Sequence, residues 1–145
     1  MRGITVGVDG SAHAQHALEW AVREAGARHM ALNVITVNPV LVSGWTREPV
    51  ILPGDEKALV EVREAAAEAV DKAVAANGEP APASVSVMAV NGAVAEELVT
   101  ASRDSDLVVV GARGGGGFSR LALGSISSQV VHHAECPVVV VPHSR

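Results

Sequence analysis

The residues that point most directly to chemistry in this 145-residue chain form a glycine-rich stretch, residues 111–125. It reads Gly-Ala-Arg-Gly-Gly-Gly-Gly-Phe-Ser-Arg-Leu-Ala-Leu-Gly-Ser, and an apolar run, residues 107–110, leads directly into it. A helical pattern over residues 126–135 follows. The first turn of a helix presents unpaired N–H groups and a positive dipole end, and glycine lets the backbone approach a ligand closely. The order strand, glycine loop and helix therefore predicts a site for a nucleotide phosphate.

The rest of the chain alternates short apolar runs with amphipathic helical patterns. Strands are predicted over residues 4–8, 31–37, 83–90, 106–110 and 137–141, and helices over 12–28 (capped by Ser11), 54–77, 93–103 and 126–135. Such alternation predicts an α/β fold with a doubly wound parallel sheet that has helices on both faces. Ligands bind at the carboxyl ends of the strands in this architecture, so the residues after each strand should share one rim.

The composition excludes several classes of partner and location. The net charge is −5 and only two residues are lysine, so no basic stripe for nucleic acid is present. The single cysteine excludes an internal disulfide and fits a reducing cytosol. No leader pattern opens the chain and no apolar run approaches about 20 residues. We therefore expect one cytoplasmic domain over residues 1–145, with no nucleic acid and no membrane among its partners.

The spacing of the glycines separates this motif from two better-known ones. The chain contains no Gly-Lys dipeptide, which excludes a P-loop, and the turn at residues 7–11 lacks the G-x-G-x-x-G pattern of dinucleotide sites. What is present is Gly111-x-x-Gly114, nine further residues, and then Gly124-Ser125. This spacing resembles the ATP-binding motif of the universal stress protein family. Residues 6–11, 105–111 and 136–141 also resemble segments of that family, in the same order and with the same spacing.

The resemblance carries implications for fold, ligand and site. It implies a flavodoxin-like sheet of five parallel strands in the order 3-2-1-4-5, a homodimer, and ATP with Mg²⁺ or Mn²⁺ held mainly by the phosphates. Position by position, it places Asp9, Gly10 and Ser11 beside the ribose and phosphates, and Val37 against adenine. It places Gly111, Ala112, Arg113 and Gly114 around the ribose and first phosphates, and Gly124, Ser125, Ile126 and Ser127 on the phosphates.

Several other residues could have either a structural or a chemical role. Asp9 follows a strand and could border the ligand, accept N–H bonds at a helix start, or be a phosphoacceptor that lacks companion acids. His13 and His16 are three residues apart and could share a metal, although a solvated helix face is the commoner case. Cys136 is expected to pack as a small hydrophobe. Trp45, in the long connection 40–53, could cover a pocket or face a partner.

The last predicted strand suggests how two copies associate. In the order 3-2-1-4-5, the strand containing Val138–Val141 lies at one edge of the sheet. An exposed valine edge invites aggregation unless it is paired or covered. Pairing two copies across a twofold axis would cover it. We therefore expect a homodimer through this strand.

Three functions fit these patterns. The first is an ATP-binding stress-response regulator that acts as a nucleotide-dependent switch, in which ATP orders residues 112–123 and an unidentified protein partner reads the result. The second is a weak ATPase, and the third a dimeric scaffold with a vestigial pocket. Residues 111–127 contain no Asp, Glu or His that could act on water, and Asp9 is the one evident acid on the rim. We therefore expect turnover well below about 1 s⁻¹, the low end for enzymes.

Overall fold

The computed structural model describes residues 2–39, 41–46, 48–112 and 124–142. The strands, in chain order, are β1 (Ile4–Val8), β2 (Ala31–Pro39), β3 (Leu41–Val42), β4 (Pro49–Val50), β5 (Ser84–Gly92), β6 (Leu107–Gly111) and β7 (Val138–Val141). The helices are α1 (Ala12–Arg28), α2 (Asp55–Asn77), α3 (Val94–Ser102) and α4 (Ser125–His133).

Five strands form one sheet in the order β5-β2-β1-β6-β7, and every neighbouring pair is parallel. Counted along the chain within this sheet, the order is 3-2-1-4-5, which confirms the predicted topology. β1 lies in the middle, where Ile4 pairs with Leu32 of β2 on one side and with Leu107 of β6 on the other. The strand order reverses between β1 and β6, and a crevice for ligands forms at such a point.

Helices cover both faces of the sheet, because its central strands are apolar on both sides. In β6, Leu107 and Val109 pack in a cluster with α1 and α2, whereas Val108 and Val110 pack in a second cluster with α3 and α4. The helix face predicted for α1 is buried throughout, and this face consists of Ala14, Ala17, Leu18, Ala21, Val22 and Ala25. The continuous apolar run before the glycine loop is thus a strand buried on both faces, as predicted.

Two strands extend beyond their predicted ends. The sequence predicts turns at residues 38–39 and 91–92, but these residues continue β2 and β5 in register, with Asn38 opposite Asn91. The Nδ2 of Asn38 donates to the Oδ1 of Asn91 at 3.0 Å, and this cross-strand amide pair holds the two strands together at the rim. The remaining strand boundaries differ from the predictions by at most one residue.

The connection after β2, predicted without secondary structure, contains the short antiparallel hairpin of β3 and β4. The backbone N–H of Ser43 donates to the carbonyl of Glu48 at 2.9 Å, and the Oγ of Ser43 accepts from the N–H groups of Trp45 and Thr46. These bonds build an ordered tip that holds Trp45 97% exposed. Trp45 therefore covers no cavity in the part of the chain that the structure describes. Among the described helices, none has both the length and the apolarity needed to cross a membrane.

Candidate functional site

A cavity of about 400 Å³ opens at the carboxyl ends of β1 and β6, at the point where the strand order reverses. Its walls come from the turn after β1, the first turn of α1, the end of β6, α3 and the N-terminus of α4. The described residues that line it are Gly7, Val8, Asp9, Ser11, His13, Ala14, Val94, Leu98, Val110, Gly111, Gly124, Ser125, Ile126 and Ser127. The volume falls within the range of about 300–1,000 Å³ that is usual for small-molecule sites.

The turn after β1 fixes a carboxylate at the mouth of the cavity. Gly10 has φ +84°, a conformation that favours glycine. The resulting bend brings the N–H of Ser11 to the Oδ1 of Asp9 at 2.9 Å. The Oγ of Ser11 accepts from the N–H of Ala14 at 3.2 Å and so caps α1. Asp9 is exposed, but this bond orients its carboxylate relative to the helix that follows.

The N-terminus of α4 faces the same cavity without a side-chain cap. Gly124 is the N-cap residue, with φ −67° and ψ 166°, an extended conformation that any residue can adopt. The first intrahelical bond runs from the N–H of Ser128 to the carbonyl of Gly124 at 2.9 Å. The N–H groups of Ser125, Ile126 and Ser127 therefore precede the helical ladder and have no acceptor within it. Because glycine supplies no capping oxygen, no side chain among the described residues caps this end of α4, which borders the cavity.

Gly111 permits close contact between the end of β6 and the first turn of α1. A Cβ atom built on Gly111 would lie 2.5 Å from the carbonyl oxygen of His13 and 3.1 Å from its Cβ atom. The N–H of the next residue, Ala112, donates to the carbonyl of Val141 at 2.8 Å and continues the pairing toward β7. The glycine at position 111 thus serves packing of the sheet against α1, in addition to any role toward a ligand.

The apolar wall of the cavity comes from α3, which the sequence reasoning did not assign to the site. Val94 and Leu98 line it, and Leu98 is 1% exposed. A Cβ atom on Gly7 would lie 2.8 Å from the Cδ1 of Leu98, so β1 and α3 pack closely there. The sequence does contain a signal for this wall. Gly7 interrupts the apolar residues of β1, and a glycine inside a strand often marks the close approach of another element.

A second cavity of about 240 Å³ adjoins the first on the α1 and α2 side of the sheet. The two cavities share Val8, Asp9, Ser11 and Ala14. The remaining described lining residues are mostly small or apolar, namely Gly10, Gln15, Leu18, Thr36, Val37, Val62, Ala65, Ala66 and Ala69. The turn at Asp9 to Ser11 therefore stands between two spaces, one beside the N-terminus of α4 and one beside α2.

The structure brings most of the predicted site residues to these two cavities. Seven line the first cavity: Asp9, Ser11, Gly111, Gly124, Ser125, Ile126 and Ser127. Gly10 and Val37 line the second. Ala112 belongs to neither lining and is engaged with Val141. The hydroxyl of Ser127 donates to the carbonyl of Gly124 at 3.2 Å, so the backbone of this residue is the part that remains for a ligand. Arg113 and Gly114 lie outside the described residues.

One known protein family matches almost the whole length of the chain. The model of the universal stress protein family matches residues 1–142. The chain belongs to this family. A member from Mycobacterium tuberculosis, universal stress protein Rv1996, is 33% identical over 151 residues, which cover 97% of this chain and 48% of the relative. The chain thus spans about half the length of the curated relatives that it matches.

Solved structures of universal stress proteins share the fold. UspA from Lactobacillus plantarum has 26% identity and a TM-score of 0.74, over 97% of both chains. A universal stress protein in complex with cAMP has 23% identity and a TM-score of 0.67, over 97% of this chain and 96% of the other. At 23% identity, the similarity to the cAMP complex shows a shared fold and nothing more.

The two histidines of α1 differ in their surroundings. Both are half-buried, so neither is fully solvated nor fully buried. His13 lines the first cavity, and His16 lines neither cavity. Within residues 2–39, 41–46, 48–112 and 124–142, no group of three or more His, Cys, Asp and Glu could hold a metal ion. His13 is therefore a cavity residue that the sequence reasoning missed.

Cys136 lies away from both cavities and packs as expected. It is half-buried against the cluster of α3 and α4. Burial raises the pKa of the Cys136 thiol, with a smaller contribution in the same direction from Asp106. A raised pKa reduces the fraction of nucleophilic thiolate at neutral pH. This cysteine is accordingly a packing residue in the universal stress protein fold.

The contact at Gly111 leads to a testable prediction. Replacing Gly111 with Ala should destabilise the protein by about 1–3 kcal/mol, because the added methyl group overlaps the carbonyl of His13. Urea denaturation followed by circular dichroism measures this change. Gly44→Ala is the matched control, since a Cβ atom at that position would meet no described atom within 4 Å. Equal stability of the two variants would show that the contact at Gly111 is dispensable.

Proposed function

We propose that this chain is a cytoplasmic, adenine-nucleotide-binding regulator of the stress response, with ATP as its ligand and a protein partner that reads the nucleotide state. The observation that carries the proposal is the uncapped N-terminus of α4, which opens into the cavity at the switch point of the sheet. A serine or aspartate at this N-cap would stabilise the helix more than glycine does. A site that binds phosphate instead benefits from open N–H groups and an unblocked helix dipole.

The phosphates fit the α4 end of the first cavity. The backbone N–H groups of Ser125, Ile126 and Ser127 would donate to phosphate oxygens, and Gly124 leaves room for them. Hydrogen bonds between an N–H group and an anion are about twice as strong as neutral ones. The side chain of Asp9 is the one carboxylate among the described lining residues of this cavity.

The sugar and base fit the other parts of the two cavities. The carboxylate of Asp9, held by Ser11, is an acceptor suited to a ribose hydroxyl. Val94 and Leu98 supply apolar surface in the first cavity, and Val37 supplies it in the second. Other structures support an adenine nucleotide, because a universal stress protein of the same fold was solved in complex with cAMP.

The side chains of the first cavity also limit how a metal ion could bind together with ATP. With a single carboxylate among its described lining residues, the first cavity does not offer a complete coordination shell to Mg²⁺ or Mn²⁺. A metal that enters with ATP would therefore take most of its oxygen ligands from the phosphates and from water. The loop that we expect ATP to order, residues 112–123, lies outside the described residues except for Ala112.

Nucleotide binding is tested by melting the protein with and without magnesium-ATP. At a hundredfold excess over Kd, binding should add about 2.7 kcal/mol, which corresponds to a rise in Tm of roughly 5–10 °C. Gly124→Asp should abolish the rise, because a carboxylate would face phosphate at close range. The same aspartate should preserve or slightly raise the Tm of the ligand-free protein, since aspartate is a good N-cap.

If Gly124→Asp keeps the Tm of the ligand-free protein but loses the rise with magnesium-ATP, the variant is folded and its phosphate site is blocked. Gly44→Asp, the same substitution at a position that lines neither cavity, is the matched control and should keep the full rise in Tm. A rise that persists in Gly124→Asp would contradict a phosphate position at α4. A single-turnover rate near or above about 1 s⁻¹ would favour the ATPase instead of the regulator.

We also propose that two copies pair through β7. This strand lies at one edge of the sheet, and the side chains of Val138, Val139 and Val140 are half-buried within one chain. An edge of this kind is an aggregation hazard unless a second copy covers it.

Sedimentation should therefore find a dimer at about 10 µM protein. Amide hydrogen exchange should slow in β7 when the protein concentration is raised, and β5, at the opposite edge, is the internal control. A monomer at this concentration, or equal protection of both edges at all concentrations, would contradict the proposed interface.

A further inference from the structure

His13 lies on α1, outside the glycine motif of residues 111–125. It is the second residue of α1, and it lines the first cavity together with the residues at the N-terminus of α4. Its carbonyl oxygen and Cβ atom lie against Gly111, which fixes the residue where the glycine loop leaves the sheet. The imidazole-bearing residue and the proposed phosphate position therefore share one cavity.

The charge of an imidazole depends on pH in the physiological range. Histidine is the side chain whose charge normally changes between pH 5 and 8. The first turn of α1 disfavours a cation, because the dipole of a helix is positive at that end. A polyphosphate in the same cavity reverses this preference, since an anion close to the imidazole favours its protonated form. Protonation of the imidazole and binding of phosphate should therefore strengthen each other.

We propose that His13 contacts the nucleotide phosphates and takes up a proton when the nucleotide binds, so that affinity increases as the pH falls. This inference rests on the proposed function of the first cavity. Asp9 is the charged group on the turn between β1 and α1, and His16 follows one turn later on α1. The described lining residues from β6, α3 and α4 carry no titratable side chain. On α3, the carboxylate of Glu97 lies toward Gly92 instead.

Because phosphate favours the protonated imidazole, the affinity for the nucleotide should increase as the pH falls. A histidine gains a proton as the pH falls from 8 to 5.5, and only the protonated form adds a charge contact to phosphate. The contribution of His13 relative to glutamine should therefore increase as the pH falls. A single partly solvated charge pair corresponds to about a fivefold change in affinity.

The test is the Kd for magnesium-ATP, measured by calorimetry from pH 5.5 to 8 on the wild type and on His13→Gln. The terminal phosphate of ATP also titrates in this range, and the ratio of the two Kd values at each pH removes that contribution. We expect the ratio, variant over wild type, to rise from about one at pH 8 to about five at pH 5.5. His16→Gln is the matched control and should give a ratio near one throughout.

A second variant carries a permanent charge. His13→Lys should bind about fivefold more tightly than His13→Gln at both pH 5.5 and pH 8, which a purely structural role of His13 would not produce. A ratio for His13→Gln that stays constant with pH would overturn the inference while leaving nucleotide binding intact. Absence of binding by the wild type at every pH would instead overturn the proposed function, and the inference with it.

Discussion

The reversal of strand order between β1 and β6 is the constraint on which the rest of the structure depends. From β1 the chain continues to β2 on one side, and from β6 it continues to β7 on the other. Because both crossovers are right-handed, the helices that follow these two strands lie on opposite faces of the sheet. α1 packs on one face and α4 on the other, and their N-termini remain at the same rim. The separation of the two helices opens the cavity, and parallel pairing brings Asp9 and Gly111 to its edge. The position of the site is thus a property of the topology.

Three glycines at this rim meet three different physical requirements. Gly10 provides a positive φ that other residues rarely adopt. Gly111 avoids a clash with the carbonyl of His13. Gly124 meets neither requirement, because its backbone is extended, and its effect is to leave α4 without a side-chain cap. Only at the third position does glycine forgo stability that another residue would add. The phosphate site that we propose therefore depends most directly on this position.

Much of the fold was predictable from sequence because hydrophobic period and glycine placement agree along the chain. The face of α1 and the doubly buried run of β6 follow from apolar spacing alone. The extension of β2 and β5 depends on an amide pair between Asn38 and Asn91, a contact between distant residues that local turn propensity opposes. The wall formed by Leu98 and the position of His13 at the cavity likewise depend on helix packing, which a linear pattern does not specify.

The most direct test of a phosphate site at the N-terminus of α4 is the backbone amide NMR spectrum during titration with adenosine, AMP and ATP. We predict that the N–H resonances of Ser125, Ile126 and Ser127 move strongly with ATP, less with AMP and least with adenosine. Hydrogen bonds to phosphate alter these groups directly, whereas a bound base acts elsewhere in the two cavities. Equal shifts with adenosine and ATP, or shifts confined to residues away from α4, would contradict a phosphate site at this helix end.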